Sequence, residues 1–391
     1  MRIGIAAIGR VSEDTGGKNY IIHFLREIER AKTKHEFVLF LSEGEAGRLG
    51  ISTSERVTVV TVPNSKNTPL HKVIGEQWKL PAYIRQERID LMYYPGNFVS
   101  LLSRVPSVVN IRSAAHFYGA EYGISGIRRL VRAWLMPASA RKADAIITPS
   151  NDIKRDVVRF TRASATKIEV IPHGVDLSLF DGDRNRGTVE STEVLDRCGL
   201  TSGAYLLFVS ALWRYKNQDK LIHAHAEVVR QGFPELKLVL AGKGTGTDPK
   251  YIREITELPK SVGTESLVVM TGGLDQRTLA SLYANAAAFV FPSSYESFGN
   301  PIFEAWASSV PVATANVHSF PEIVADAALL FDPLDRQGMV EAILKLLNDK
   351  ELAAELKRRG SSRAKDFSWE LAVSRTLRLL ERVYEKHSEH P

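Results

Sequence analysis

The sequence predicts an α/β protein made of two doubly wound, Rossmann-like halves, and three observations carry that expectation. Its 391 residues exceed what a single hydrophobic core usually fills. Short β-branched runs alternate with longer helical patterns along the whole chain, the grammar of a parallel sheet covered on both faces. The alternation starts afresh after an aperiodic stretch near the middle that is rich in Gly, Asp, Arg and Thr.

In the first half the order is RIGIAAI, a helix over Lys18–Arg30, EFVLFL, VTVVTV, a helix around Glu76–Arg88, IDLMYY and PSVVNI. In the second it is AYLLFVS, the helix NQDKLIHAHAEVVR, LKLVLAG, SLVVMTG, the helix DQRTLASLYANA, AFVFPS, PVATA and a run of helices. The stretch HGVDLSLFDGDRNRGTVESTEV reads as a connector with its hinge near Leu177–Glu193, giving domains 1–176 and 177–370. A final helix from Trp369 to about Lys386 carries Leu371, Val373, Leu377, Leu380 and Val383 near helical spacing. It is expected to return to the first domain, so that 371–391 joins it.

Composition narrows the function classes. Hydrophobic content of 44%, charged content of 25% and no run of eighteen apolar residues describe a globular chain without a membrane span. The start MRIGIAAIGR reads as a strand, not a signal peptide, and a cytoplasmic protein is expected. The lone Cys198 excludes an intramolecular disulfide and a Cys-based metal cage. Residues 1–180 hold 26 Lys/Arg against 17 Asp/Glu, whereas 181–391 hold 25 against 28. The basic half suits an anionic partner: lipid headgroups, nucleic acid or a nucleotide.

The most informative stretch is FVFPSSYESFGNPIFEAWASSVPVATA. A strand ends at Pro292, a Ser- and Gly-rich loop follows, and a helix begins near Asn300–Pro301. Proline suits a first helical turn because its missing N–H would be unpaired there. Backbone N–H groups of Phe298, Gly299 and Asn300 then stand at the positive end of that helix, an arrangement that binds anions. Glu296 and Glu304 bracket the loop, eight positions apart. An arbitrary pair of this kind is a solvated loop charge and a helix-surface charge.

In this context the stretch closely resembles the E-x7-E signature of family-4 retaining glycosyltransferases of the GT-B fold. The resemblance implies two Rossmann-like domains facing across a cleft. It also implies that Glu304 accepts hydrogen bonds from the donor ribose hydroxyls, while Glu296 and the Phe298–Gly299 backbone hold the transferred sugar and its phosphate. A second element, FVSALWRYKNQDKLIHA, leads from a strand through Arg214 and Lys216 into a helix. Two exposed cations in a turn are common, but this turn lies at the carboxyl end of a parallel strand, where open sheets bind ligands. Family members carry an Arg and a Lys here that neutralise the donor diphosphate. Many read G-R-L-x-x-x-K-G, with Ala211 here at the position of that Arg; this chain resembles the S-L-x-P-R-K-N subtype, in which Arg214 substitutes.

Further matches are looser. The Gly16–Gly17 pair lies where the family's glycine loop faces the donor phosphates, although a GG pair alone marks only a turn. The family's sugar-contacting His falls on Arg112, with His116 four residues later, and a structural histidine is the alternative. LAGKG with Gly242 and TGGLD with Thr271 end strands where a nucleotide base would approach, or are plain turns. IPHGVD resembles the family's I-P-N-G-V-D, whose Gly and Asp shape the crossover, and Glu322 is read as capping. Asp181–Asp183, the chain's D-x-D, reads as loop composition. No metal and no cofactor are expected.

The run GIRRLVRAWLMPASARKAD places Ile127, Leu130, Val131, Trp134 and Leu135 on one helical face, with Arg128, Arg129 and Arg132 largely elsewhere. Two readings stand: a core-packing helix with a solvated Arg face, or a basic amphipathic helix on an anionic membrane. The expected function is retaining, metal-independent transfer of a hexose, GDP-mannose being the favoured donor. The acceptor is a saccharide or lipid-linked saccharide, and nucleic acid is not an expected partner. A sugar-nucleotide epimerase of the same fold and a non-catalytic sugar-nucleotide or membrane-binding protein are the alternatives. A dinucleotide dehydrogenase is disfavoured, because no strand ends in G-x-G-x-x-G.

Overall fold

The structure is a computed structural model and describes residues 1–8, 16–63, 75–119, 126–244 and 248–389. The chain divides into two compact units. Unit 1 comprises Met1–Ala120, Ile124–Gly174 and Trp369–Pro391, and unit 2 comprises Val175–Ser368 with Glu121–Gly123.

Unit 1 is built on seven parallel strands: β1 (Arg2–Ala6), β2 (Glu36–Ser42), β3 (Val57–Val62), β4 (Leu91–Tyr94), β5 (Ser107–Asn110), β6 (Ala145–Thr148) and β7 (Ile168–Val170). Their spatial order is β3-β2-β1-β4-β5-β6-β7, so the winding reverses between β1 and β4, which pair through Ile3 and Leu91. Alternation sorts each strand between two cores. Ile3, Ile5, Leu91 and Tyr93 face one, while Ala6, Met92 and Tyr94 face the other. Its principal helices are α1 (Gly16–Arg30), the short α2 (Ala115–Tyr118) and α3 (Gly126–Lys142).

Unit 2 has six parallel strands: β8 (Tyr205–Val209), β9 (Lys237–Ala241), β10 (Val268–Gly272), β11 (Ala288–Phe291), β12 (Val312–Ala315) and β13 (Leu329–Phe331). Their order is β10-β9-β8-β11-β12-β13, again with one reversal, here between β8 and β11. Those two strands pair directly, Phe289 opposite Leu207. Helices α4 (Gln218–Arg230), α5 (Pro249–Ser261), α6 (Gln276–Asn285) and α7 (Asn300–Ala307) belong to this unit, and α8 (Trp369–Ser388) closes the chain.

The terminal helix α8 joins unit 1 and uses the apolar face that its spacing predicts: Val373, Leu377, Leu380 and Val383 pack in the core that holds Ile3, Ile5 and Phe24. Leu371 is the exception, 42% exposed, because two residues before Val373 is roughly 200° around the helix. Three other expectations are corrected. The helix around Glu76–Arg88 opens with a π-helical turn at Gly75–Lys79 and is α-helical only over Leu80–Gln86. The proposed connector Leu177–Glu193 belongs to unit 2 and contains the helix Gly182–Asn185 and the start of another, Val189–Arg197. A side chain at Gly182 would lie 2.3 Å from the Ser308 carbonyl oxygen, so this segment packs closely on its unit; its many capping residues hide its helicity from a search for periodicity. Asp181, of the D-x-D, accepts the N–H groups of Asp183 and Arg184 as the cap of the first of these helices.

The division of the chain falls at Gly174, where a Cβ would sit 2.4 Å from the Trp369 backbone. Asp176 accepts from Ser178 Oγ at 2.7 Å and from the Leu179 N–H at 3.2 Å. Close packing within unit 1 thus requires the glycine of the IPHGVD stretch, and its Asp176 holds the turn that opens unit 2.

Candidate functional site

The switch point of the unit 2 sheet positions the site. β8 and β11 are neighbours at which the strand order reverses, and open parallel sheets bind ligands beyond the carboxyl ends of such a pair. The chain leaving β8 makes a 3-10 turn over Arg214–Lys216 before α4, and the chain leaving β11 makes the 292–299 loop before α7. Lys216 and Glu296, eighty residues apart, meet here: Lys216 Nζ donates to Glu296 Oε1. The lysine is 6% exposed, and its ammonium lies 4.8 Å from the Tyr215 ring centroid and 5.6 Å from that of Phe291. A cation held this far from solvent needs a carboxylate partner, and Glu296 supplies it.

Asn217 clamps the two loops together. Its Nδ2 donates to the Pro292 carbonyl and to Ser294 Oγ, each at 2.7 Å, while the Ser294 N–H reaches the Tyr215 carbonyl at 2.8 Å. Asn217 takes a left-handed conformation, φ 58°, which Asn tolerates better than most residues. From the other side, Ser319 Oγ donates to the Glu296 carbonyl at 3.0 Å.

Gly299 caps α7 with φ 80°, and a Cβ there would lie 2.6 Å from Phe320 Cε1. Both the conformation and the space demand glycine. Pro301 stands in the first turn. By position the N–H groups of Gly299 and Asn300 have no intrahelical acceptor, so the helix start presents donors and positive potential. Phe298 is buried and stacks on Phe303, centroids 4.7 Å apart, which anchors the loop from below.

One turn into α7, Glu304 is half-buried. Burial pushes its carboxyl up to about 7, opposed by the neighbouring Tyr283 hydroxyl. Tyr283, on α6, is itself fully buried and its phenol is raised well above its usual range by the same burial and by the Glu304 charge. A carboxyl poised near neutrality beside a phenol can accept hydrogen bonds from a polar ligand once ionised.

Arg214 is not part of this contact. Its guanidinium pairs with Glu254 at 2.8 Å and lies 4.4 Å from the Tyr251 ring centroid, both on α5. The pair is about half exposed, so it costs little to exchange for another anion. Gly242 ends β9 at a place where a Cβ would stand 1.8 Å from the Ser210 carbonyl oxygen; close packing of its own sheet explains this glycine. Thr271 ends the edge strand β10, where its Oγ1 donates to the Gly272 carbonyl at 3.1 Å.

The comparisons with known proteins bear on this arrangement. The glycosyl transferases group 1 family matches residues 200–363 and Glycosyltransferase Family 4 matches residues 15–179. The O-antigen chain mannosyltransferase B of Escherichia coli is 31% identical over 297 residues, 76% of this chain and 75% of that protein. The chain belongs to the family-4 glycosyltransferases. The longer serotype-specific mannosyltransferase WbdA of Escherichia coli is 28% identical over 62% of this chain, which spans only 30% of that protein. Among solved structures, Anabaena HepE in complex with UDP-glucose shares the fold with a TM-score of 0.74 and 18% identity, covering 97% of this chain and 100% of that one.

The remaining sequence-derived candidates of this glycosyltransferase, apart from Glu322 of unit 2, lie in unit 1. Gly16 and Gly17 open α1, and residues 9–15 before them lie outside the described residues, as do the side chains of Ile127 and Arg128. His116 is buried on α2 with its ring 4.2 Å from that of Phe117. Burial and, secondarily, Arg132 and Arg129 lower it to about 4, so it is neutral near pH 7. Arg112 lies 5.5 Å from the Tyr20 ring centroid, and desolvation, with Arg112 second, lowers the His173 imidazole to about 3. Glu322 stands in the first turn of the short helix Phe320–Val324, where a carboxylate complements the helix dipole. A cavity of 880 Å³ also lies in unit 1, lined by residues 27–35 and by α8; it is not at the carboxyl ends of strands.

Sequence reasoning missed Asn217, Ser319 and Tyr283. The first had a signal, since Asn follows Lys216 at a strand-to-helix turn. The other two contact Glu296 and Glu304 only through the tertiary fold.

Proposed function

We propose that this glycosyltransferase moves a hexose from a nucleotide-sugar donor to a saccharide or lipid-linked saccharide, with retention and without a metal ion. The favoured donor is GDP-mannose, and the product belongs to a surface polysaccharide. The observation that carries the reading is the Lys216–Glu296 pair, set at the switch point of unit 2 beside the start of α7. Breaking a glycosidic bond to a nucleoside diphosphate builds negative charge on the departing phosphate. A buried ammonium and a helix N-terminus, both fixed beforehand, stabilise that charge without reorganising. Glu296 holds the ammonium in place and faces the sugar, while Glu304 accepts the ribose hydroxyls. The mannosyltransferases among the relatives support mannose as the sugar, and the HepE complex supports a nucleotide-sugar donor.

The departing phosphate oxygen takes the acceptor proton in this scheme, so no protein nucleophile is required. A thermal-shift panel of GDP-, UDP-, dTDP- and ADP-sugars in EDTA tests the donor. A bound donor raises the melting temperature in proportion to the logarithm of its concentration over Kd. GDP-mannose is expected to give the largest rise; a shift that appears only with added divalent cation contradicts the metal-free reading.

A further inference from the structure

Helix α3 turns its apolar face outward. Leu130, Val131 and Trp134 are 69%, 40% and 68% exposed, whereas Leu135 and Met136 are buried against the unit. At 100° per residue Trp134 lies about 40° from Leu130 around the helix, and Arg141 about 20° from it. Arg141 and Lys142 are exposed at the end of the helix. Of the predicted apolar face, Leu135 packs inward with Met136 and Ala140, whereas Leu130, Val131 and Trp134 stay outside.

Two more exposed apolar residues sit beside it. Trp78 is 71% exposed and Leu102 52%. Hydrogen bonds gather their elements next to α3: Ser139 Oγ of α3 accepts the Val99 N–H at 3.1 Å, and Gln77 binds the Val99 carbonyl at 2.9 Å and the Leu101 N–H at 2.7 Å. Five exposed large apolar side chains thus lie on α3 and on the two segments hydrogen-bonded next to it, and among the described residues the others, Val189, Leu334 and Leu371, lie on separate elements. Such a concentration marks an interaction surface.

The charge says what covers it. Over its seventeen residues α3 carries Arg128, Arg129, Arg132, Arg141 and Lys142 and no carboxylate. Between Leu91 and Ala143 the sequence holds seven Lys/Arg against one acidic residue, Glu121. A protein partner with a matching apolar patch does not require that excess, whereas an anionic bilayer takes both: aromatic and aliphatic side chains enter the interface while cations meet phosphate headgroups. We propose that the outward face of α3, with Trp78 and Leu102, docks on an anionic lipid bilayer. The inference does not depend on the donor or on the stereochemistry of transfer.

Flotation of the full chain with vesicles of phosphatidylcholine, alone or mixed with phosphatidylglycerol, tests it. Partition into the anionic vesicles is expected to exceed that into neutral ones by about tenfold or more, and to fall with added salt. Leu130→Ser combined with Trp134→Ser should bring it down to the neutral level. Arg141→Glu alone should weaken it by about tenfold. Brominated lipid should quench the tryptophan fluorescence of the unaltered chain, and Trp134→Phe should remove part of that quenching, which keeps the test independent of how the double variant folds. Equal, negligible partition into both vesicles overturns the proposal. So does anionic binding that none of these substitutions changes, or a solution dimer that Trp134→Ser dissociates, since a second copy would then be the occupant.

Discussion

Lys216→Ala is expected to lower kcat by about 10²–10³-fold, the usual cost of removing one fixed group that meets developing charge. Two effects follow from the one substitution and are separable. The catalytic one arises because the ammonium is positioned before the donor arrives: Glu296 holds it and the Tyr215 and Phe291 rings flank it. The structural one arises because the Glu296 carboxylate, 17% exposed, is left without its cation. That should lower stability by up to about 3 kcal/mol. Pairing Lys216→Ala with Glu296→Gln removes the orphaned charge, so thermal melts should show stability largely restored while steady-state assays show no recovery of turnover. Recovery of both would reduce Lys216 to a partner for Glu296.

Glu304→Gln is expected to weaken donor binding by about ten- to a hundredfold, the worth of hydrogen bonds to a charged acceptor. It should also remove a pH dependence. The carboxyl of the free protein is pushed up to about 7, and in the proposed donor site only its ionised form would accept both ribose hydroxyls. Affinity should therefore rise with pH until about 7 and then level off, dropping about tenfold for each unit below. Calorimetric titration from pH 5.5 to 8 reads this directly, and a flat profile for the unaltered protein would remove Glu304 from the donor site. Stability moves the other way. The folded pKa lies above the ordinary value of 4.5, so between those two values the folded chain binds more protons than the unfolded one. Stability then falls as pH rises through this window. The Gln variant should lack that fall, seen as a smaller change in melting temperature between pH 5 and pH 8.

These expectations rest on features of unequal legibility in the sequence. Strands such as EFVLFL and AFVFPS announce themselves because burial on both faces leaves continuous apolar runs, and the GNP turn announces the start of α7 because glycine and proline each have one physical use there. The terminal helix was readable from its spacing, apart from Leu371. What the sequence hides is direction and distant pairing. Nothing local says that Arg214 turns to Glu254, or that Asn217 reaches across to Pro292. The apolar stripe of α3 shows equally well in a buried helix and in an exposed one, since periodicity reports a face and not what it meets. Capping residues in 177–193 resemble loop composition for the same reason: Asp181 and Thr188 start helices that are too short to show a period.

The central claim is that a nucleotide-sugar enters unit 2 at Lys216 and reacts without inversion or metal assistance. NMR of the first sugar released from GDP-α-mannose in EDTA, with water standing in for the acceptor, tests it most directly. The account predicts that α-mannose appears first and mutarotates afterwards, and that Lys216→Ala slows its appearance by about 10²–10³-fold. Initial release of the β-anomer, or turnover that begins only when a divalent cation replaces the EDTA, would contradict it.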